Sequence, residues 1–115
     1  MTKQILLDTN FILTCLKQKI DFFEYLELEG YKILIPENVI LELKKLKKNS
    51  VLNFLEKEEK KFQKISLQGK NVDNSIVNFA KENPKIVIGT LDREMRKKIR
   101  NSKISIRNKK KLEII

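Results

Sequence analysis

Length and composition limit what this chain can be. It has 115 residues, 41% hydrophobic and 35% charged, which suits one domain spanning residues 1–115. It contains no His, one Cys and three Gly, which excludes His-dependent catalysis, an intramolecular disulfide, a cysteine zinc site and a glycine-rich phosphate loop. The apolar runs are far shorter than the roughly 20 residues of a membrane span. The N-terminus lacks the pattern of a signal peptide, so we expect a cytoplasmic protein without membrane contact.

Positive charge is concentrated in the later part of the chain. The 25 Lys and Arg residues against 15 Asp and Glu give a formal net charge of +10. Residues 1–40 carry a net charge of −2, whereas residues 41–115 carry +12. Such an excess predicts a polyanionic partner, and RNA phosphates are the expected contact. The candidate contacts lie in two dense clusters and are Lys44, Lys45, Arg93, Arg96 and Lys97. A solvated lysine-rich surface is the alternative, and both interpretations stay open for the stretch 56–64, where Glu and Lys alternate as helix-surface pairs do.

The first half of the chain predicts two strands and four helices. An apolar run at 4–7 is typical of a buried strand, and Asn10 is a candidate N-cap for the helix that follows. A second helix over 20–29 ends at Gly30. The segments after it are a strand at 32–35, a helix over 36–48 and a helix from Ser50 to about 63.

The second half predicts two helices and three strands. The segments are a helix over 71–82, a strand at 85–90, a helix over 92–100, a strand at 103–107 and a terminal strand at 111–115. Apolar strands that alternate with helices indicate a mainly parallel sheet between two helical layers. The sequence therefore predicts a three-layer α/β/α sandwich, to which the terminal strand can add in antiparallel direction.

Four acidic residues stand where this fold brings functional groups together. Asp8 follows the first strand and Asp92 follows the strand at 85–90, and both belong to the edge where parallel strands end. Asp73 lies in the first turn of its helix, and Glu42 lies at the margin of an apolar helix stripe. Converging carboxylates repel one another, and a divalent cation relieves that repulsion. Oxygen ligands without His or Cys favour Mg²⁺ or Mn²⁺.

Each acidic residue also has a purely local interpretation. Asp73 and Asp92 are suited to helix capping, which is worth about 1 kcal/mol. Asp8 suits the turn between a strand and a helix, and Glu42 can pair with Lys45 one turn along its helix. The shared site therefore depends on the predicted fold.

The ordered set of motifs resembles the PIN-domain ribonucleases. That family carries a strand followed by Asp-Thr-Asn/Ser, here Asp8 to Asn10, and then a Glu in a helix, here Glu42. An Asp that opens a central helix corresponds to Asp73, and a strand followed by Thr-x-Asp corresponds to Thr90 to Asp92. The stretch 86–100 is similar to archaeal PIN proteins related to the nucleases that process small-subunit rRNA.

The resemblance implies an endoribonuclease that depends on Mg²⁺ or Mn²⁺. It assigns metal binding and catalysis to Asp8, Glu42, Asp73 and Asp92. Residues that orient those carboxylates would be Thr9, Asn10, Thr90 and Glu94. It also implies a homodimer, with a ribosome-assembly partner or, in the toxin branch of the family, an antitoxin protein. The chain departs from the pattern at Asn74, where relatives often carry a second acid.

Two other function classes fit parts of the sequence. A non-catalytic RNA-binding or ribosome-assembly module would keep the acidic residues without turnover. A receiver or phosphatase fold also places an Asp after the first strand. The segment Asp8 to Asn10 lacks the paired acids that such a site uses to hold Mg²⁺ and a phosphoryl group, which disfavours that class.

Overall fold

The computed structural model describes residues 3–69, 71–108 and 111–115. A short 3-10 turn at Glu59–Lys61 precedes the third strand. The helices and strands are β1 Lys3–Leu7, α1 Thr9–Lys17, α2 Phe22–Leu28, β2 Tyr31–Pro36, α3 Glu37–Lys45, α4 Asn49–Lys57, β3 Phe62–Ile65, α5 Val72–Glu82, β4 Val87–Gly89, α6 Arg93–Lys98, β5 Ile104–Arg107 and β6 Lys111–Ile114.

The central sheet has four parallel strands in the order β3-β2-β1-β4. Ile5 of β1 lies opposite Ile33 of β2 on one side and Val87 of β4 on the other. These apolar strands are covered on both faces, which explains why they do not alternate between apolar and polar residues. The predicted parallel sheet is confirmed.

The two faces of the sheet belong to separate hydrophobic cores. Successive side chains of a strand point to opposite faces, so Ile5 and Leu7 contribute to one core and Leu6 to the other. The first core includes residues from α1 to α4, and the second includes residues from α5 and α6. The predicted three-layer sandwich is therefore confirmed.

The order of the strands changes direction at β1, which has β2 on one side and β4 on the other. The chain from β1 to β3 passes through α1 to α4 on one face, whereas the connection from β3 to β4 uses α5 on the other face. At such a switch in connection direction, the carboxyl ends of the strands form a ligand-binding crevice. The Asp8 N–H donates to the Gly89 carbonyl at 2.8 Å, which fixes the two strand ends side by side.

The helix predicted in the middle of the chain is too long, and the strand that follows it was not predicted. The helix predicted from Ser50 to 63 begins at Asn49 and ends at Lys57, and Lys48 at its N-cap position makes no side-chain capping bond. The residues Phe62–Ile65 form the edge strand β3, which pairs with β2. Only the first and last residues of this strand are apolar, and both are half-buried. The strand therefore has no apolar run from which the sequence could have predicted it.

The C-terminal strands form a separate antiparallel pair. β5 and β6 pair over Ile104 to Arg107 and Lys111 to Ile114, which confirms the predicted antiparallel terminal strand. A single bridge between Ile88 and Lys103 connects this pair to the main sheet. Within the described residues, none of the helices combines the length and the apolar character that crossing a bilayer requires.

Candidate active site

Asp8 is a buried carboxylate at the carboxyl end of β1. It is 3% exposed. Its Oδ1 accepts the Thr9 N–H at 2.8 Å, and its Oδ2 accepts the Thr90 hydroxyl at 3.0 Å. Burial raises its pKa from 3.8 to about 6, against the effect of these two hydrogen bonds, and the charges of Asp73 and Glu42 add to the rise. The residue also caps α1, so the predicted N-cap at Asn10 is wrong.

Thr90 links Asp8 to Asp92. While its hydroxyl donates to Asp8, its oxygen accepts the Asp92 N–H at 3.2 Å. Asp92 caps α6 by accepting the N–H groups of Glu94 and Met95 at 2.9 and 3.2 Å. Both capping bonds use Oδ1, so the capping function of Asp92 occupies one of its two carboxylate oxygens. The local interpretation of Asp92 therefore holds without excluding a second function.

The charge state of Asp73 is linked to those of the three other acidic residues. Partial burial of its carboxyl group is the largest cause that raises its pKa, although most of the residue is exposed. The charges of Asp92 and Glu42 raise this pKa further, and Lys98 opposes them. Since Asp73 and Glu42 also act on Asp8, the four carboxylates lie in one region. We call Asp8, Glu42, Asp73 and Asp92 the acidic cluster.

The side chains of the acidic cluster are not gathered into a finished metal site. Across residues 3–69, 71–108 and 111–115, no three Asp, Glu, His or Cys side chains are arranged to hold a metal ion. The chemistry of the donors nevertheless suits a hard divalent cation, because every ligand is a carboxylate oxygen. The neighbouring Thr9 hydroxyl is buried and has no hydrogen-bond partner among the described residues.

The other predicted positioning residues lie around this cluster in different ways. Thr9 and Thr90 are both buried, and Thr9 contacts Asp8 through its backbone N–H whereas Thr90 does so through its hydroxyl group. Asn10 is exposed on the first turn of α1. Glu94 contacts Asp92 only through its backbone N–H, and its carboxylate lies 3.7 Å from the Lys97 ammonium.

The predicted RNA contacts occupy two helix ends near the acidic cluster. Lys44 and Lys45 lie in the last turn of α3, the helix that carries Glu42. Arg93, Arg96 and Lys97 belong to α6, which Asp92 caps. Lys98, whose charge acts on Asp73, is not among these predicted contacts. Helical spacing places Lys98 and Arg96 on opposite sides of the buried stripe of Met95 and Ile99, but which of the two approaches Asp73 depends on how α6 packs.

Comparison with known proteins gives a consistent result. The model of the PIN-like domain family matches residues 5–110. The chain is 30% identical to ribonuclease VapC4 of Methanocaldococcus jannaschii, over 96% of this chain and 95% of that protein. It is also similar to the solved structure of the PIN domain endonuclease Utp24. That match has a TM-score of 0.84 and 27% identity, and covers 98% of this chain and 91% of the other.

Proposed function

The chain belongs to the PIN-like domain family, and on that premise we propose that it is an endoribonuclease that requires Mg²⁺ or Mn²⁺ to hydrolyse RNA phosphodiester bonds. The two similar proteins are named a ribonuclease and an endonuclease. The observation that carries the proposal is that charges of other members of the acidic cluster raise the pKa values of Asp8 and Asp73, while the Thr90 hydroxyl group ties Asp8 to Asp92. The free energy that this repulsion costs is regained when a cation enters the cluster.

In this proposal Asp8, Glu42, Asp73 and Asp92 hold the cation. When bound, a divalent ion lowers the pKa of its water and neutralises charge on a phosphate. Asp8 is fixed by Thr9 and Thr90 and is the rigid ligand. Asp73 is exposed and Glu42 half-buried, so their side chains are free to rotate toward the ion. In this proposal, cation binding draws the separated carboxylates together into one metal site.

The cations of α6 bind the RNA backbone in this proposal. The charge of Lys98 acts on Asp73. Lys98 is therefore placed to contact a phosphate next to the acidic cluster. Arg93, Arg96 and Lys97 would contact phosphates farther along, and Lys44 and Lys45 would contact the chain on the α3 side. Phosphate contacts supply affinity without reading sequence.

Cleavage of a mixed RNA pool tests the proposed function. The wild-type chain should cut RNA with Mg²⁺ or Mn²⁺ and stop when EDTA is added. The Asp8→Asn, Asp92→Asn double variant should lose at least about a hundredfold in rate, as expected when ligands of a catalytic metal are removed. Asp21→Asn is the matched control, because Asp21 caps α2 through the Glu24 N–H just as Asp92 caps α6. That control should cleave at the wild-type rate.

A wild-type chain that binds RNA but never cleaves it would contradict the proposal. That outcome would favour the alternative of a non-catalytic RNA-binding or ribosome-assembly module. Equal loss of rate in Asp21→Asn and in the double variant would also contradict it, since the effect would then come from helix capping.

The similarity to VapC4 favours a toxin-type function as a second candidate beside rRNA processing. On that hypothesis the chain has an antitoxin partner and acts as a homodimer. Expression in a bacterial host without the partner should then arrest growth, and the Asp8→Asn, Asp92→Asn variant should restore it. Normal growth with active wild-type protein would favour the rRNA-processing role.

A further inference from the structure

The contact between α5 and α6 has two oppositely charged side chains at its border. Both helices contribute to the second hydrophobic core, with Ile76, Val77 and Ala80 from α5 and with Met95 and the C-cap residue Ile99 from α6. Asp73 lies one turn before Ile76 and Val77 on the same face of α5, because side chains three and four positions apart in a helix are neighbours. Lys98 follows Met95 by three positions and lies at the margin of the buried stripe of α6. Both charged groups therefore border the same helix contact.

Lys98 is exposed, and a close ion pair does not fix its ammonium group. On α6 the ion pair joins Lys97 to Glu94 at 3.7 Å. Among the described carboxylates, none lies within 4.0 Å of the Lys98 ammonium. The charge of Lys98 nevertheless reaches Asp73. Burial and the charges of Asp92 and Glu42 raise the pKa of Asp73, whereas Lys98 lowers it. Lys98 thus neutralises part of the acidic cluster while its side chain stays free to turn.

A lysine in this position affects the two ligands of the site in opposite ways. Its ammonium group repels a divalent cation and attracts a phosphate. When Asp73 ligates a cation, the attraction between Lys98 and this carboxylate is replaced by repulsion from the bound ion. The long, flexible stem of a lysine lets the ammonium group move to another anion. A phosphate of the RNA is the anion that the proposed reaction brings next to the acidic cluster.

We propose that Lys98 couples the binding of the metal ion to the binding of RNA. In the metal-free chain its ammonium group neutralises Asp73 and competes there with the incoming ion. Once Asp73 ligates the ion, Lys98 turns to a phosphate of the RNA. Metal and RNA therefore each strengthen the binding of the other, by the same factor. This inference rests on the proposed function and adds how the site is loaded.

Titration with Mn²⁺ in the absence of RNA tests the competition at Asp73. The electron paramagnetic resonance signal of free Mn²⁺ measures how much of the ion is bound. Lys98→Gln should bind Mn²⁺ about three- to tenfold more tightly than the wild-type chain at low salt, because a charge that repels the ion is gone. Lys98→Arg keeps the charge and should bind Mn²⁺ like the wild-type chain.

Lys97→Gln is the matched control for this titration. It removes the same charge from the neighbouring position of the same helix, but Lys97 is paired with Glu94 and both side chains are largely exposed. Solvent and salt screen such a charge. Lys97→Gln should therefore change the affinity for Mn²⁺ by less than about twofold.

RNA binding with and without the ion tests the release of Lys98. The probe is a short single-stranded oligoribonucleotide with phosphorothioate linkages, which slow cleavage, and a gel checks that it stays intact. In EDTA, fluorescence anisotropy should give Lys98→Gln and the wild-type chain affinities within about twofold of each other. In saturating Mn²⁺, Lys98→Gln should bind about fivefold more weakly than the wild-type chain, because it lacks the released phosphate contact. Lys97→Gln should weaken binding by the same factor in both solutions.

Equal Mn²⁺ affinities of Lys98→Gln and Lys97→Gln would overturn the inference and leave the nuclease proposal standing. The inference would also be overturned if Lys98→Gln lost the same factor of RNA affinity in EDTA and in Mn²⁺. Failure of the wild-type chain to bind Mn²⁺ would instead overturn the proposed function, and the inference with it.

Discussion

Asp8 occupies a position that costs the folded state free energy. A carboxylate that is 3% exposed loses most of its hydration, and two hydrogen bonds from Thr9 and Thr90 compensate only part of that loss. Its pKa is raised from 3.8 to about 6. A buried group that destabilises the fold and faces other carboxylates is typical of a functional residue.

The first prediction concerns the stability of Asp8→Asn at different pH values. Because the folded pKa of about 6 exceeds 3.8, the folded state binds more protons than the unfolded state between these values, and stability falls as pH rises through that interval. Above pH 6 the penalty is constant at up to about 3 kcal/mol, at about 1.4 kcal/mol per pKa unit. Asn has the same shape: its carbonyl oxygen can accept the Thr9 N–H, and its amide N–H can donate to the Thr90 hydroxyl oxygen, which reverses the direction of that bond.

Asp8→Asn should therefore raise the free energy of unfolding by about 1–3 kcal/mol at pH 7.5. The gain should vanish near pH 4, where Asp8 is protonated in the folded state. Urea unfolding in EDTA at both pH values measures it. A destabilised variant at pH 7.5 would show that Asp8 is held mainly by favourable local bonds.

At the residue scale, the sequence placed the acidic residues but not their environment. Asp8 could be located because it directly follows a strand, and Asp92 because it comes shortly after one, beyond Thr90 and Leu91. The N-cap of α1 could not be decided, because Asp8 and Asn10 are both good capping residues. Asp8 caps because its backbone is extended, with φ −89° and ψ 161°, and its carboxylate reaches the Thr9 N–H. The effect of Lys98 on Asp73 required the packing of α6.

At the element scale, β4 depends on close approach to its neighbours. A Cβ on Gly89 would lie 2.8 Å from Leu7 Cδ2 and 3.2 Å from Ile104 Cγ2. Gly89 is also the partner of Leu7 in the strand register, directly before Thr90. Glycine therefore lets β1, β4 and β5 meet at the edge that carries the acidic cluster.

The second prediction follows from that crowding. Gly89→Ala should lower the free energy of unfolding by about 1–3 kcal/mol, because the core must shift to admit a methyl group. Thermal unfolding followed by circular dichroism measures the loss. In a Leu7→Ala background the same substitution should cost less, since the nearer clashing atom is gone. Equal costs in both backgrounds would contradict this explanation.

The elements differ in how clearly their sequences identify them. Buried strands such as β1 and β2 are continuous apolar runs, and they were predicted. The edge strand β3 was not, because Gln63 and Lys64 at its centre are exposed. Nothing local in such a strand signals pairing, which comes from the neighbouring β2. The stretch of alternating Glu and Lys at 56–64 runs into this strand, and the predicted helix from Ser50 to about 63 was therefore too long.

At the scale of the whole molecule, charge and topology agree. The net charge of +10 attracts a polyanion, while the acidic cluster forms a local negative site among helix-borne cations. The order of strands and helices was sufficient to predict the sandwich. It also predicted the sheet edge at which β1 and β4 end and at which Asp8 and Asp92 lie. The approach of Glu42 and Asp73 depends on how α3 and α5 pack, which the sequence alone does not determine.

The third prediction separates RNA contacts from general surface charge. Replacing Arg93, Arg96 and Lys97 by Gln should lower the slope of log affinity against log salt by about 2 for single-stranded RNA, at about 0.7 per lost phosphate contact. The control replaces Lys57, Lys60 and Lys61, which removes the same charge elsewhere. Filter binding at several salt concentrations measures both slopes. Equal reductions would mean that only net charge matters.

The most direct test is the location of Mn²⁺ in crystals soaked with the ion. An anomalous difference map from the wild-type chain should show Mn²⁺ among the oxygens of the acidic cluster, with Glu42 and Asp73 turned inward to ligate it. Asp73→Asn crystals should show a much weaker peak at that position. If Mn²⁺ bound only elsewhere, while Asp8 and Asp92 kept their local hydrogen bonds and Glu42 and Asp73 stayed turned away, the metal centre and the nuclease mechanism built on it would be contradicted.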